Sequence, residues 1–374
     1  MSEDTKPQRL WLKVAATLWA GIGIAMLVHA IVKPHSSTLY TVFRSGGARW
    51  LLSENLYPKV DEYIYSPFAA AFFAPFALLP DRVAGALWRL TAMGVFCAGF
   101  AVWVRYARGA AERAGLAWLL LLPLSVGNFF NGQANPLVIG LLMLAVIACR
   151  RERWMLGALC VGLATYFKIY PLAVGLLLCV VHPRKFPWRL ALALAGMFAL
   201  SLVLQRPAYV LEQYRNWLHT LGQDPRRTKG YFGTYRDIWL LLRILRVPIT
   251  LRGWSLLQAA SGAALAGWLW LARRRGMAAG HLDFLLLALG TCWMLLFGPA
   301  TESATYVIIA PPLALACVRW PGTRSLTGAI CAYVLLVASQ MLSSWGHQHQ
   351  TPYTHLIQPI ATMIFAATLL RSRE

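Results

Sequence analysis

The chain has 374 residues, a formal net charge of +21 and a mean hydropathy of +0.55. Only 13% of its residues are charged, against roughly 25% in a soluble domain, so the composition excludes an ordinary soluble protein. The basic residues lie in short clusters between apolar runs, such as Arg150, Arg151 and Arg153, and this placement argues against nucleic-acid binding.

Apolar runs separated by basic or polar breaks predict an all-α, polytopic membrane protein of about twelve transmembrane helices. The runs lie at 12–32, 83–104, 115–128, 135–149, 154–166, 169–181, 190–205, 253–272, 282–298, 303–318, 325–343 and 354–370. Several are shorter than the roughly 20 residues that cross a bilayer as a helix. Irregular backbone at membrane depth is tolerated only against protein or a wet cavity, so the short runs indicate a cavity. We expect 1–374 to form one integral membrane domain with an uncleaved first helix.

Lysine and arginine predict the orientation of the chain in a bacterial inner membrane. With the N-terminus inside, most basic clusters and the C-terminus are cytoplasmic. The first outer loop, 33–67, and a basic outer loop, 206–246, then face the periplasm. Four further polar segments fall on the same side: 128–135, 166–171, 299–303 and 344–355. The basic loop breaks the positive-inside rule, which indicates an anionic substrate on the outer face.

Metal sites and disulfides are not expected. Six of the seven cysteines lie inside apolar runs and the seventh at the end of one, which is typical of small buried side chains. His347, His349 and His355 share one outer loop at a spacing that a metal could use, but neither an acid nor a cysteine accompanies them. Trp345 and Tyr353 beside them suit an interfacial belt or a sugar-stacking surface. We therefore expect no metal and no cofactor.

Lys168 is the strongest candidate for binding an anion. It stands in Tyr166-Phe167-Lys168-Ile169-Tyr170-Pro171, between two apolar half-runs, where a charge is costly and usually functional. Pro171 disfavours helix at Tyr170, so the chain should break there and leave Lys168 at the cavity wall. The alternative is a lysine whose ammonium group reaches out to the membrane surface.

Two further charged positions lie on the predicted outer face. Glu302 is an isolated acid between apolar runs, and either acts on substrate or caps the next helix. Arg236 and Asp237 close the basic loop. An arginine fork suits phosphate, with Asp237 orienting it, whereas a lipid-headgroup face is the alternative. Arg44 of the first loop could face the same phosphate.

Neutral amides form a second polar cluster, at Asn131, Gln133 and Asn135. Such amides can bind sugar hydroxyls without the cost of burying a charge, and Tyr170 could join them. The alternative is that they satisfy the end of a broken helix.

Four motifs in order resemble glycosyltransferase family 87 of the membrane-embedded GT-C superfamily. They are VFRSGGARWLLSENLYP, YIYSPFAAAFFAPFALLP, Gly132-Gln133-Ala134-Asn135 and Phe167-Lys168-Ile169-Tyr170-Pro171. The resemblance implies a GT-C-like architecture, with helices in the outer-face loops. It also implies a hexosyltransferase, often a mannosyltransferase, that works by inversion. Its donor would be a polyprenyl-phosphate sugar and its acceptor a lipid or glycan. The aspartate usual in the family's first loop is replaced here by Leu39.

Direct transfer needs a carboxylate that accepts the proton of the acceptor hydroxyl. The acids considered on the outer face are Glu54, Asp61, Glu62, Glu212, Asp224, Asp237 and Glu302. Glu302 ranks first because apolar helix on both sides should partly bury it, and Asp61 or Glu62 ranks second.

Two other functions stay open from the sequence. A transporter or lipid flippase predicts inverted repeats and charges at mid-membrane, and neither is evident. A non-catalytic descendant of a transferase would explain the missing first-loop aspartate. The sequence does not specify the sugar or the acceptor.

Overall fold

The chain folds as a bundle of helices in the computed structural model, which describes residues 5–36, 38–58, 63–106, 113–223, 230, 235–299, 301–319, 324–348 and 351–372. The α-helices within these residues are α1 (Thr5–Val32), α2 (Tyr40–Leu52), α3 (Pro67–Ala77), α4 (Asp81–Tyr106), α5 (Ala114–Asn131), α6 (Asn135–Arg150), α7 (Trp154–Phe167), α8 (Leu172–Val181), α9 (Pro187–Leu204), α10 (Pro207–Gly222), α11 (Ile238–Ile244), α12 (Leu251–Arg274), α13 (Ala279–Phe297), α14 (Ala310–Arg319), α15 (Arg324–Gln348) and α16 (Ile357–Arg371). Two 3-10 helices, Ser303–Ile309 and Pro352–Leu356, lead into α14 and α16.

Each of the twelve apolar runs coincides with a helix, which confirms the prediction of an all-α membrane protein within the described residues. Eight helices there are long and apolar enough to cross a bilayer: α1, α4, α5, α9, α12, α13, α15 and α16 with its leading turn. The runs at α6, α7, α8 and 303–319 form shorter apolar helices, as expected for the short runs, so the number of about twelve transmembrane helices is not confirmed.

The centre of the bundle is built on α6 and α13. Nearly every residue of α6 is buried, and so is 83% of an apolar 18-residue stretch of α13. By contrast, only 11% of the corresponding stretch of α12 is buried, and side chains such as that of Leu256 are exposed on the outside of the bundle. A helix buried on all sides belongs in a core, and an exposed apolar helix fits a hydrocarbon solvent.

Close approach of α4 and α6 depends on two glycines. A Cβ on Gly140 would lie 2.6 Å from the Val95 carbonyl oxygen, and one on Gly99 would lie 2.6 Å from the Gly140 carbonyl oxygen. Small residues at such crossings let the backbones of membrane helices pack in contact.

The first loop is more ordered than its polar composition suggests, because it contains α2 and is followed by α3. These helices pack through Phe43 and Phe73, whose rings stack with centroids 4.7 Å apart. The α9–α10 corner holds the end of the loop: Tyr209 donates to the Glu54 carbonyl at 2.7 Å, and the Gln213 side-chain oxygen accepts from the Leu56 N–H at 2.9 Å. The Ser66 hydroxyl donates to the Tyr166 carbonyl at 2.6 Å, which places the end of the loop beside the break between α7 and α8.

Candidate functional site

The predicted break at Lys168 is confirmed. Helix α7 ends at Phe167, Lys168 is extended, and α8 begins at Leu172. The Lys168 ammonium nitrogen lies 5.7 Å from the centroid of the Tyr170 ring. Burial lowers the pKa of Lys168, and the negative charge of Glu302 opposes this more weakly. Among the described residues no carboxylate lies within ion-pair distance of Lys168, so the ammonium is available to an anion.

A cavity of about 180 Å³ opens beside this break. Its wall consists of Leu39, Val42, Ile64, Tyr65, Ser66, Phe167, Lys168, Ile169, Tyr170, Trp217, Leu221, Pro299 and Glu302. Segments that are far apart in the sequence therefore meet at one place. Glu302 is the one acid among these lining residues, all of which belong to the described part of the chain. Leu39, at the position of the family's usual aspartate, lines the same cavity.

The expected burial of Glu302 is wrong, because its side chain is exposed. Glu302 is the N-cap of the 3-10 helix Ser303–Ile309 and forms a capping box with Thr305. In that arrangement the Thr305 hydroxyl accepts from the Glu302 backbone N–H at 3.2 Å. The position at a helix start, at the mouth of the cavity, explains the exposure. Capping is thus observed alongside a place in the cavity wall.

Burial also affects the tyrosines of the cavity. It raises the pKa of Tyr170 well above the ordinary value, and interactions with Tyr65 and with the negative charge of Glu302 raise it further. Burial likewise raises the pKa of Tyr65, with Glu302 adding to the effect. Both side chains therefore remain neutral near pH 7, when the Tyr170 hydroxyl is a hydrogen-bond donor.

The amide cluster is mostly engaged with the protein itself. The Asn131 side-chain oxygen accepts from the Leu39 N–H at 3.1 Å, which ties the first loop to the end of α5. Gly132 follows with φ of +67°, a left-handed conformation that favours glycine. Trp88 donates to the Gly132 carbonyl at 2.8 Å. Gln133 is buried as well.

Asn135 was predicted to bind sugar, and its environment argues against that role. The side chain is 1% exposed. Its oxygen accepts from the Tyr170 hydroxyl at 2.9 Å, and its NH₂ group donates to the Ala304 carbonyl at 3.0 Å. Both polar ends of the side chain are therefore occupied. Through them Asn135 connects the break after α7 to the segment that carries Glu302. Tyr170 is correspondingly held as a part of the cavity wall.

Arg236 lies next to the Glu302 segment but is not one of the described residues that line the cavity. Its N–H donates to the Thr301 carbonyl at 2.7 Å, and its guanidinium donates to the Gln358 side-chain oxygen at 3.1 Å. The ring nitrogen of His355 lies 3.4 Å from the same guanidinium. Burial lowers the pKa of Arg236, opposed by the charges of Tyr306 and Glu302, yet a guanidinium stays cationic at physiological pH.

Asp237 is fully buried, and its carboxylate accepts from the Leu240 N–H at 3.2 Å as the N-cap of α11. The Asp237 carboxylate therefore caps the start of α11. The predicted role in orienting Arg236 stays a prediction.

The expectation that Arg44 faces a donor phosphate is not supported. Its guanidinium forms an ion pair with Asp81, and it also donates to the Ala77 carbonyl at 3.4 Å. His35 lies 3.2 Å from the other Asp81 oxygen. Asp81 was missing from the acids considered in the sequence, and its ion pair with Arg44 accounts for the position of that arginine.

Several predicted residues lie outside the described part of the structure. They include the candidate acids Asp61, Glu62 and Asp224. His349 is also outside it, as are the side chains of Trp345 and His347. Their roles stay predictions.

An apolar groove of about 510 Å³ adjoins the cavity. It runs between α8, α12 and α13, and its walls include Leu176, Ala259 and Trp293. Pro299 lines both the groove and the cavity, so the two spaces border the same residue.

Sequence reasoning missed three residues of this region. Tyr65 and Trp217 line the cavity, and Gln358 bonds to Arg236. The only sequence signal for Tyr65 was its place in an aromatic motif. Trp217 and Gln358 carried none, because what marks them is a contact with a distant segment.

Comparison with known proteins gives the following matches. The family model "Glycosyltransferase family 87" matches residues 63–299, more than half of the chain. A polyprenol-phosphate-mannose-dependent alpha-(1-2)-phosphatidylinositol pentamannoside mannosyltransferase of Mycobacterium tuberculosis is 28% identical over 231 residues, covering 59% of this chain and 51% of that protein. The protein of the same description from Mycolicibacterium smegmatis is 35% identical over 124 residues, covering 30% of this chain and 28% of that protein.

The chain therefore spans about half or less of the length of these relatives. Among solved structures, ArnT from Cupriavidus metallidurans bound to undecaprenyl phosphate aligns with a TM-score of 0.45 and 14% identity. That alignment covers 95% of this chain and 76% of the ArnT chain.

Proposed function

The chain belongs to glycosyltransferase family 87, and we propose that it transfers a hexose from a polyprenyl-phosphate sugar to a hydroxyl of a lipid or glycan acceptor. Mannose is the first candidate sugar, because it is named for the donor of both mycobacterial relatives. One observation carries the proposal: a partly buried cation, Lys168, and a carboxylate, Glu302, line one cavity that an apolar groove borders at Pro299.

The proposed reaction is a single inverting displacement. The acceptor oxygen attacks the anomeric carbon and its proton passes to the Glu302 carboxylate. The bond between the anomeric carbon and the phosphate oxygen breaks, and its electron pair leaves with the polyprenyl phosphate. Lys168 stabilises the negative charge that grows on that phosphate, and Arg236, which is bonded to the segment before Glu302, supplies a second positive charge. These groups accomplish the transfer without a metal.

The groove is the part of the site that suits a lipid-linked donor. Its walls are almost entirely apolar, so an isoprenoid chain would leave one hydrocarbon environment for another while its phosphate reached Lys168 past Pro299. A nucleotide sugar offers nothing to fill such a groove. An apolar groove that borders the cavity at Pro299 therefore favours a donor that is itself dissolved in the membrane.

Glu302 is the proposed general base because no other carboxylate is found among the described residues that line the cavity. Leu39 occupies the position of the usual aspartate and lines the same cavity, but it cannot accept a proton. Among the described lining residues, Glu302 is the carboxylate that remains. Its exposure at the cavity mouth leaves it open to an arriving acceptor hydroxyl.

We further propose that the cavity faces the periplasm and that both termini are cytoplasmic. The support is the distribution of arginine and lysine in the sequence. The break after α7, the start of the 3-10 helix at Ser303 and the first loop would then open on the same side.

The test is a transfer assay with purified protein in lipid vesicles. Labelled polyprenyl-phosphate-mannose, polyprenyl-phosphate-glucose and GDP-mannose would be supplied in turn with extracted acceptor lipids. The proposal expects label in an acceptor from a polyprenyl donor only. Transfer from GDP-mannose would contradict it. Movement of intact donor across the bilayer without transfer would indicate a flippase instead.

A further inference from the structure

Two buried carboxamides approach the segment that follows Glu302. Asn135 at the start of α6 and Gln358 in the first turn of α16 are each 1% exposed. They belong to helices that are distant in the sequence, and Gln358 lies beyond the residues that the family model matches.

Each amide donates one hydrogen bond to the segment that follows Glu302 and accepts one from another residue. The NH₂ group of Asn135 donates to the Ala304 carbonyl at 3.0 Å, and the NH₂ group of Gln358 donates to the Ser303 hydroxyl at 3.0 Å. The oxygen of Asn135 accepts from the Tyr170 hydroxyl at 2.9 Å, and that of Gln358 accepts from the Arg236 guanidinium at 3.1 Å. The NH₂ group of each amide thus holds the segment that follows Glu302. The oxygen of each amide holds a second residue, which is Tyr170 for Asn135 and Arg236 for Gln358.

The chemistry of the partners determines which way each amide points. A guanidinium can only donate, so the oxygen of Gln358 must face Arg236. A backbone carbonyl can only accept, so the nitrogen of Asn135 must face Ala304. A carboxamide is the side chain that offers both a donor and an acceptor without adding charge. A carboxylate at 358 would instead pair with Arg236 and reduce its attraction for phosphate.

We propose that Asn135 and Gln358 are positioning residues that set Glu302 at a fixed separation from Lys168 and Arg236. Asn135 acts through Tyr170, two residues after Lys168, and Gln358 acts directly on Arg236. This inference rests on the proposed function, in which Glu302 takes the proton of the acceptor hydroxyl while the cations stabilise the donor phosphate in the same step. Small displacements of such groups are costly, because transfer needs the reacting atoms in near contact.

Hydrogen–deuterium exchange tests the bracing without reference to activity. Gln358→Leu and Asn135→Leu should each raise exchange several-fold in peptides that cover 301–306. Gln213→Leu is the matched control, since it removes an equally buried amide that holds Leu56 instead. That variant should leave 301–306 unchanged. Unchanged exchange at 301–306 in both test variants would overturn the inference.

A double-mutant cycle on donor KM tests positioning in the reaction. Gln358→Leu and Arg236→Ala should each raise donor KM by about tenfold. The double variant should be no worse than the poorer single variant, because Gln358 acts through Arg236. Multiplicative effects would overturn the inference. Ser303→Ala, which removes one hydrogen-bond partner only, serves in place of Gln358→Leu in the exchange measurement if the latter fails to fold. Absence of any transfer by the unmodified protein would count against the proposed function, whereas the exchange result would still decide on the bracing.

Discussion

At the scale of single residues, the positions of some side chains around the cavity could be predicted from their neighbours in the sequence, and others could not. Lys168 was placed correctly because a charge within an apolar run and a following proline are both local signals. The contacts of Arg44 and Asn135 were not evident from the sequence because their partners, Asp81 and Ala304, are 37 and 169 residues away along the chain. The burial of Glu302 was misjudged because flanking helices do not reveal that the residue between them sits at a cavity mouth.

The lowered pKa of Lys168 predicts how donor binding depends on pH. The ammonium must be protonated to attract phosphate, and burial makes it lose its proton at a lower pH than an ordinary lysine would. Donor KM should therefore rise as pH increases through this lowered pKa. Lys168→Arg keeps the charge and should remove the alkaline rise, whereas Lys185→Arg, a substitution away from the cavity, should leave the profile unchanged. Measuring donor KM from pH 6 to 10 checks this. An identical profile in Lys168→Arg would count against the phosphate contact.

The pairing of Leu39 with Glu302 predicts a rescue. Both side chains line the same cavity, so a carboxylate introduced at 39 should reach an acceptor hydroxyl there. In a Glu302→Gln background, Leu39→Asp should recover turnover by about tenfold or more, as expected for a restored general base. Leu39→Asn in the same background is the control and should recover nothing. Equal recovery by both would mean that polarity, and not proton transfer, matters at this position.

At the scale of helices, the apolar runs predicted the spanning elements well, because hydrophobicity over a dozen or more residues is a strong signal. Helices in the outer-face loops were expected, but the sequence did not show that α2, α3, α10 and α11 would form outside those runs. They lie in the stretches interpreted as loops or breaks, where apolar and polar residues are mixed. Their helical form depends on packing, such as the contact of α2 with α3 and of α10 with the first loop.

Packing of α4 against α6 predicts a strong position effect on stability. Gly140→Leu should force the two backbones apart and cost about 3 kcal/mol or more, because the new side chain would meet the Val95 carbonyl. Gly94→Leu on α4 is the matched control, since no heavy atom lies within 4 Å of its added Cβ. Thermal unfolding in detergent measures both. A melting temperature of Gly140→Leu close to that of Gly94→Leu would contradict the proposed crossing.

At the scale of the whole molecule, the proposed function depends on which face the cavity opens. The sequence predicts the orientation from its basic clusters, but it cannot show that α7, the first loop and the 301–305 segment meet at one place. That convergence depends on contacts over more than a hundred residues, such as the one between Asn135 and Ala304.

Reporter fusions test the orientation. Fusions after Arg153 and Arg275 should report cytoplasm, and fusions within 213–222 of α10 should report periplasm. The reason is that α10 contributes Trp217 to the cavity wall, so its side of the membrane is the side of the site. A cytoplasmic signal from α10 would place the cavity on the inner face.

The most direct test of the central claim is the turnover of a bound polyprenyl-phosphate sugar by Glu302→Gln. This substitution keeps the shape of the side chain and removes its ability to accept a proton. Single-turnover transfer from labelled donor would be measured together with donor binding in the same vesicles, with Glu54→Gln as a control acid from the first outer loop. We predict a loss of turnover of about 100-fold or more with donor binding unchanged, and normal turnover in the control. Normal turnover in Glu302→Gln would contradict the account.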